Sequence, residues 1–211
     1  MPMDGRLQRA IHRFDPALYN PCSTVAENIL FGTAVDDRLS TDNLCSHPFM
    51  IEVLDACQLR DTFEQLSLQL TARIIEIFSD VSPGHPYFER FGFVEEELLP
   101  RLKLIHARAE RDIGKLADED RNLLLSLPFR LVPERHRLGL IDEPLQARLL
   151  EARHWFAEHI PESLKDAVTR FDSDQYHSDL SIFDNVVFGR IAFSEQGAEE
   201  KVRSLVLELI D

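Results

Sequence analysis

Residues 61–80 read DTFEQLSLQLTARIIEIFSD, in which Phe63, Leu66, Leu70, Ile74 and Ile77 recur at steps of three and four and Val81 continues the row. That spacing puts the apolar side chains on one face of a helix, and the spacing predicts a helix over 61–80 with Asp61 as its cap and SPGHP as its stop. The same period spans VEEELLPRLKLIHARAERDIGK, 94–115, with acidic residues early and basic ones late, as the helix dipole favours. Pro100 should kink or break that helix. A third helix is expected over 142–159, with Asp142 as N-cap, Pro144 in the first turn, and Leu145, Leu149, Trp155 and Phe156 as buried candidates. A short one follows over 162–169. Strand-like stretches are confined to FRLV, 129–132, and LGLI, 138–141. The fold class is therefore mainly α: a multi-helix domain of seven to nine helices.

Sliding the chain by 157 residues lays LQRAIHRFDPALYNPCSTVAENILFG, 7–32, on LKDAVTRFDSDQYHSDLSIFDNVVFG, 164–189, without a gap. Nine of 26 pairs are identical: Leu7/Leu164, Ala10/Ala167, Arg13/Arg170, Phe14/Phe171, Asp15/Asp172, Tyr19/Tyr176, Asn28/Asn185, Phe31/Phe188 and Gly32/Gly189. We read this as a duplication, two copies of a loop plus capped-helix unit. In each copy a short helix, Leu7–Arg13 or Leu164–Arg170, precedes a turn-rich linker. Thr24-x-x-Glu27 and Ser181-x-x-Asp184 then have the spacing of a capping box. Gly32 and Gly189 suit the left-handed position past a helix end. Phe14, Tyr19, Ile29, Phe31, Phe171, Tyr176, Val186 and Phe188 should be at least partly buried. Three blocks follow: 1–66 with the first unit, 67–163 as an inserted helical region, and 164–211 with a truncated second unit, packed as one domain.

Composition narrows the function classes. The 211 residues carry 37 acidic and 23 basic side chains, a formal charge of −14, which repels phosphate backbones and anionic lipid heads. Nucleic acid is therefore not an expected partner. The start lacks a signal peptide's apolar core, and no run approaches the roughly eighteen apolar residues of a spanning helix, so no direct membrane insertion is expected. Cys22, Cys45 and Cys57, odd in number and without CxxC spacing, suit reduced thiols in the cytoplasm, and no metal site is expected.

DPALYNPCSTVAENILFG resembles the segment after the Q-loop of exporter-type ABC transporter ATPases, roughly Q-D-P-x-L-F-x-x-T-x-x-E-N-I-x-x-G. Asp15, Pro16, Leu18, Tyr19, Thr24, Glu27, Asn28, Ile29 and Gly32 carry the match. IEVLDACQLRDTFEQL, 51–66, resembles the helix pair that follows there, and EEKVRSLVLELID, 199–211, a truncated version of it. The resemblance implies a helical subdomain that touches the coupling helices of a membrane permease domain. The contact would run through Asp15, Tyr19, Thr24, Glu27, Asn28, Asp172, Tyr176, Ser181, Asp184 and Asn185, at the cytoplasmic face of the inner membrane. The sequence departs from the family in several places. Phe14 and Phe171 stand where the glutamine that senses magnesium should be, the loop before Thr24 is two residues longer, and neither GxxxxGK[ST] nor LSGGQ occurs. The chain is thus expected to be a fragment with no catalytic residues and no cofactor of its own, the Mg-ATP belonging to the remainder of a parent ATPase. LGLIDEP, 138–144, superficially resembles a Walker B strand ending in Asp142 and Glu143, but it reads better as a helix N-terminus. The pairs His106/Glu110 and His154/Glu158 are solvated helix neighbours. A second function class stays open, an independent acidic helical adaptor that binds a protein partner.

Overall fold

The computed structural model describes residues 10–178, 180, 182–194, 197, 200, 202 and 204, and the fold is mainly helical. Its centre is α4, Arg60–Phe78, which follows β1 (Ile11–Arg13), α1 (Val25–Leu30), β2 (Gly32–Ala34), α2 (Thr41–Leu44) and α3 (Pro48–Ala56). The apolar row has the expected effect: Phe63, Leu66, Leu70, Ile74 and Phe78 are buried. Each such side chain contributes about 1.5–3 kcal/mol by leaving water. Ser67 and Thr71 lie in the same buried stripe, and each hydroxyl donates back to a carbonyl one turn earlier, those of Phe63 and Ser67, at 2.7 Å. Asp61 lies in the first turn and does not cap; Leu59 occupies the N-cap without a side-chain bond.

Beyond α4 come α5 (Tyr87–Phe91), α6 (Leu99–Asp112), α7 (Asp118–Arg130), α8 (Pro133–His136) and α9 (Glu143–His159). Pro100 begins α6 instead of kinking it, since the first turn has no amide bond for proline to lose. Asp142 caps α9 as expected, its carboxylate accepting from the Leu145 amide at 2.9 Å, with Pro144 in the first turn. α4 packs on α6 and α7, and α9 packs along α1. The main hydrophobic core runs from Val25 to Val168 and so draws on residues from all three sequence blocks.

The expected strands at 129–132 and 138–141 are absent, because Phe129 and Arg130 finish α7 and 138–141 is irregular. The strands lie elsewhere: β3 (Val168–Arg170) after a 3₁₀ turn at Glu162–Ala167, and β4 (Gly189–Ile191) after α10 (Ile182–Val187). Where short helices were expected up to Arg13 and Arg170, the chain is extended as β1 and β3. β1 pairs antiparallel with β4 and β2 with β3, in matching registers: Arg13 opposite Gly189 and Gly32 opposite Arg170. Each segment therefore runs strand, turn, helix, strand, and the strands of one pair with those of the other.

The two segments meet at their aromatic residues. The Phe14 and Phe171 rings stack with centroids 3.6 Å apart and planes 9° from parallel. Phe188 stands edge-on to Phe14 at 5.5 Å, and Phe31 edge-on to Phe171 at 5.6 Å. Such contacts add about 0.5–1.5 kcal/mol each beyond burial. The Phe14 amide donates to Phe188 O at 3.1 Å and the Phe171 amide to Phe31 O at 3.0 Å. The left-handed residue after each helix is not the glycine but Phe31 (φ 46°) and Phe188 (φ 45°). The glycines answer a different need. A Cβ on Gly189 would lie 2.5 Å from His12 O, and one on Gly32 would overlap Thr169 O, so only glycine lets the paired strands approach. Tyr176 and Val186, expected to be buried, are exposed; among the described residues no helix covers α10 as α9 covers α1.

Candidate functional site

The residues of the ABC-like phrase converge on the turn between β1 and α1. Thr24 and Glu27 form the capping box: the Glu27 amide donates to Thr24 Oγ1 at 3.0 Å and the Thr24 amide to Glu27 Oε2 at 2.9 Å. A cap of this kind stabilises a helix by about 1 kcal/mol. The other oxygen of Glu27 pairs with Arg190 on β4 at 2.5 Å, tying the cap to the second segment. Asp15 closes the start of the turn by accepting the Ala17 amide at 2.8 Å. Asn28, almost wholly buried, holds the far end. Its Oδ1 accepts the Asn20 amide at 2.9 Å, and its Nδ2 donates to Asn20 O and to Thr24 O, both at 2.9 Å.

Arg153 of α9 completes this clasp. Its guanidinium donates to Asn28 O (2.7 Å), Asn28 Oδ1 (3.0 Å), Asp15 O (3.1 Å), Pro16 O (2.9 Å) and Leu18 O (3.0 Å), and lies 4.8 Å from the Phe31 ring centre. None of the five acceptors is a carboxylate, so every hydrogen bond of this buried cation goes to a carbonyl dipole. Burial draws its pKa down to about 10, which leaves it charged at neutral pH. Tyr19 packs against the main core with its hydroxyl enclosed, and burial raises that phenol's pKa. Tyr19 and Asn28 are therefore scaffold. The side chains that reach water are those of Pro16, Ala17 and Leu18.

The second segment repeats part of this clasp. Asp172 accepts the Asp174 amide at 3.0 Å, and Asn185 Oδ1 accepts the His177 amide at 2.8 Å while its Nδ2 donates to His177 O at 2.8 Å. Where Arg153 reaches Asp15 O, the buried His177 ring brings Nε2 to 2.8 Å from Asp172 O. Ser181, predicted as a cap, lies outside the described residues, as does the Asp184 side chain.

Phe14 and Phe171, the pair that the resemblance sets against a Q-loop glutamine, are buried against one another, and Asp142 caps α9.

Sequence reasoning missed Arg153, whose helix offered no signal beyond an arginine on its apolar side, and also missed a group of metal-ligating side chains. His12 of β1, Cys22 and Glu134 of α8 bring one ligand atom each within 4.8 Å of one another. The Cys22 thiol donates to Glu134 Oε2 at 2.6 Å, and His12 Nε2 lies 3.4 Å from the same oxygen. Mixed N, S and O donors of this kind suit a divalent cation such as zinc. Burial first, and then the bond to Glu134, push the Cys22 thiol up to about 12. Burial opposes ionisation of Glu134, but hydrogen bonds from Cys22 and Ser194 outweigh it and hold the carboxyl below its usual range. Cys22 and Glu134 are 112 residues apart, so no motif spacing could reveal them.

No protein-family model, curated protein or solved structure matches this chain.

Proposed function

We propose that the chain is a helical coupling subdomain of an ABC transporter ATPase, its two segments copies of one unit, which relays nucleotide state to a membrane permease through the turns at 15–18 and 172–176. One observation carries the reading. Two residues of the phrase that capping does not require, Asp15 and Asn28, work together with Arg153 to hold the 15–18 turn on a buried polar clasp, while Tyr19 packs against the main core and Leu18 stays 62% exposed. A turn fixed at its base by charge-assisted bonds transmits displacement instead of absorbing it, which a mechanical relay needs. No membrane-spanning helix occurs among the described residues, so the contact would be made at a membrane protein's surface.

The test uses the complete polypeptide with its permease in membrane vesicles, measuring transport and ATP hydrolysis together. Leu18→Glu and Tyr176→Glu should each lower transport by about tenfold, the loss of a contact worth about 1.4 kcal/mol, while nucleotide binding stays intact. Unchanged transport in both overturns the reading. The second reading, an acidic helical adaptor, is favoured by the charge of −14, and flanking sequence without a phosphate loop and an LSGGQ-like motif would select it.

A further inference from the structure

The two segments share backbone shape but not cover. Val25 and Ile29 on α1 are 0% exposed, whereas Ile182 and Val186, their equivalents on α10, are 64% and 47% exposed, and Tyr176 is 69% exposed. Ile182 and Val186 stand one turn apart and so share a face of α10. Tyr176 precedes His177, whose amide is held by Asn185 of the same helix. Apolar side chains are thus kept in water at positions where the other segment seats a helix.

We propose that this face is a docking site for an amphipathic helix of a partner polypeptide, with a leucine and phenylalanine ridge like that of α9 and basic residues on its flanks. The ridge follows from the internal template: α9 packs along α1 with Leu145, Leu149, Ala152 and Phe156 buried, and α10 is the equivalent helix in the second segment. The receptor is already formed. Asp172 O meets His177 instead of an arginine from the covering helix, and Asn185 holds the turn as Asn28 does, so the partner needs no counterpart of Arg153. Basic flanks follow from charge. Asp172 and Asp174 lie four and two residues before Tyr176, the whole chain carries −14, and a second copy would bring the same negative charge and be repelled. The inference rests on the coupling reading only for which polypeptide carries the helix.

The probe is a fluorescent peptide of the α9 sequence, Glu143–His159, made basic by Glu143→Lys, Glu151→Lys and Glu158→Lys at positions exposed in α9, and titrated into the whole chain by anisotropy. Saturable binding is expected that weakens with salt, weakens at least about tenfold in Ile182→Glu or Val186→Glu, and is unaltered by Leu104→Glu on α6. All three replaced side chains already face water, so the fold is not at stake. Absent binding, binding indifferent to Ile182→Glu, or self-association of the chain that Ile182→Glu abolishes would each overturn the proposal, the last by making a second copy the occupant. Peptide binding lost in Ile182→Glu, with transport unchanged in Leu18→Glu and Tyr176→Glu, would uphold this site while the coupling reading falls. The reverse pattern would do the opposite.

Discussion

Segments 10–34 and 167–191 follow one local pattern and live in different surroundings. Both extend after an alanine, turn at an aspartate that accepts the amide two residues on, form a six-residue helix and leave it through a left-handed phenylalanine. Local chemistry and the crosswise strand pairing account for that likeness. The difference is what lies above the helix. In the first segment α9 brings an apolar ridge and Arg153, while in the second the turn is closed from within by His177. Sequence similarity thus fixes the backbone of such a unit without fixing its burial, which depends on what the rest of the chain supplies.

Removing the group that makes the difference should have the largest effect. Arg153→Ala leaves Asn28 and three turn carbonyls buried without their donor and is expected to lower unfolding free energy by about 3 kcal/mol or more, read as a shift of the urea midpoint. His177→Ala removes one such contact and should cost about 1 kcal/mol. Equal losses would show that the two turns depend on Arg153 and His177 alike. The helices offer a second contrast. Ile29→Ala opens a cavity beneath α9 and should cost about 2–5 kcal/mol, whereas Val186→Ala trims a side chain in water and should change stability by less than about 0.5 kcal/mol. A large loss at Val186 in the isolated chain would mean that the face is covered in solution.

Much of the helical frame was legible because its cause is local. The row from Phe63 to Ile74, the cap at Asp142 with Pro144 behind it, and the Thr24/Glu27 box each act within one or two turns of chain. The rest depends on distant partners. The strands are three residues long, too short for alternation to register, and exist because Ile11 pairs with Ile191 and Ala34 with Val168. α7 carries little periodic signal because LLLSLPF, 123–129, is apolar at every position but Ser126, its proline tolerated in the last turn. Gly32 and Gly189 were recognisable as special, but for the wrong reason: the requirement is the neighbouring strand's approach, not φ. Of the candidate site, the phrase was visible while Arg153, which anchors it, was not.

A smaller effect concerns His136 on α8, an element that braces the first segment through the bond of the Glu134 amide to Pro21 O at 3.0 Å. Burial, reinforced by Arg135, lowers the pKa of His136 from 6.5 to about 4, and its ring packs between Phe91 and Phe93. As pH falls below 6.5 the unfolded chain takes up a proton that the folded chain refuses until about pH 4. This contribution to stability is therefore present above pH 6.5 and is lost on descending to about 4. The urea midpoint of His136→Gln should fall less steeply across that window than that of the parent chain. Parallel slopes would show that His136 is not held neutral by its site.

The smallest expected effect is on the reactivity of Cys22, a thiol that the first segment has and the second lacks, since the equivalent position is Asp179. At pH 8 the native chain should react with iodoacetamide first at the half-buried Cys57, while Cys22, pushed up to about 12, and Cys45, pushed up to about 11, react slowly. Burial is the larger cause at both slow thiols, but only Cys22 also donates to a carboxylate, Glu134 at 2.6 Å. Glu134→Gln removes that negative charge and leaves the packing volume unchanged, so the thiolate of Cys22 becomes easier to form and its alkylation should quicken severalfold, measured by peptide mass spectrometry. Cys45, which has no contact with Glu134, is the internal reference: a parallel rise there would report general loosening of the fold. An unaltered rate at Cys22 would assign its inertness to burial alone and remove Glu134 from the account of what distinguishes the first segment.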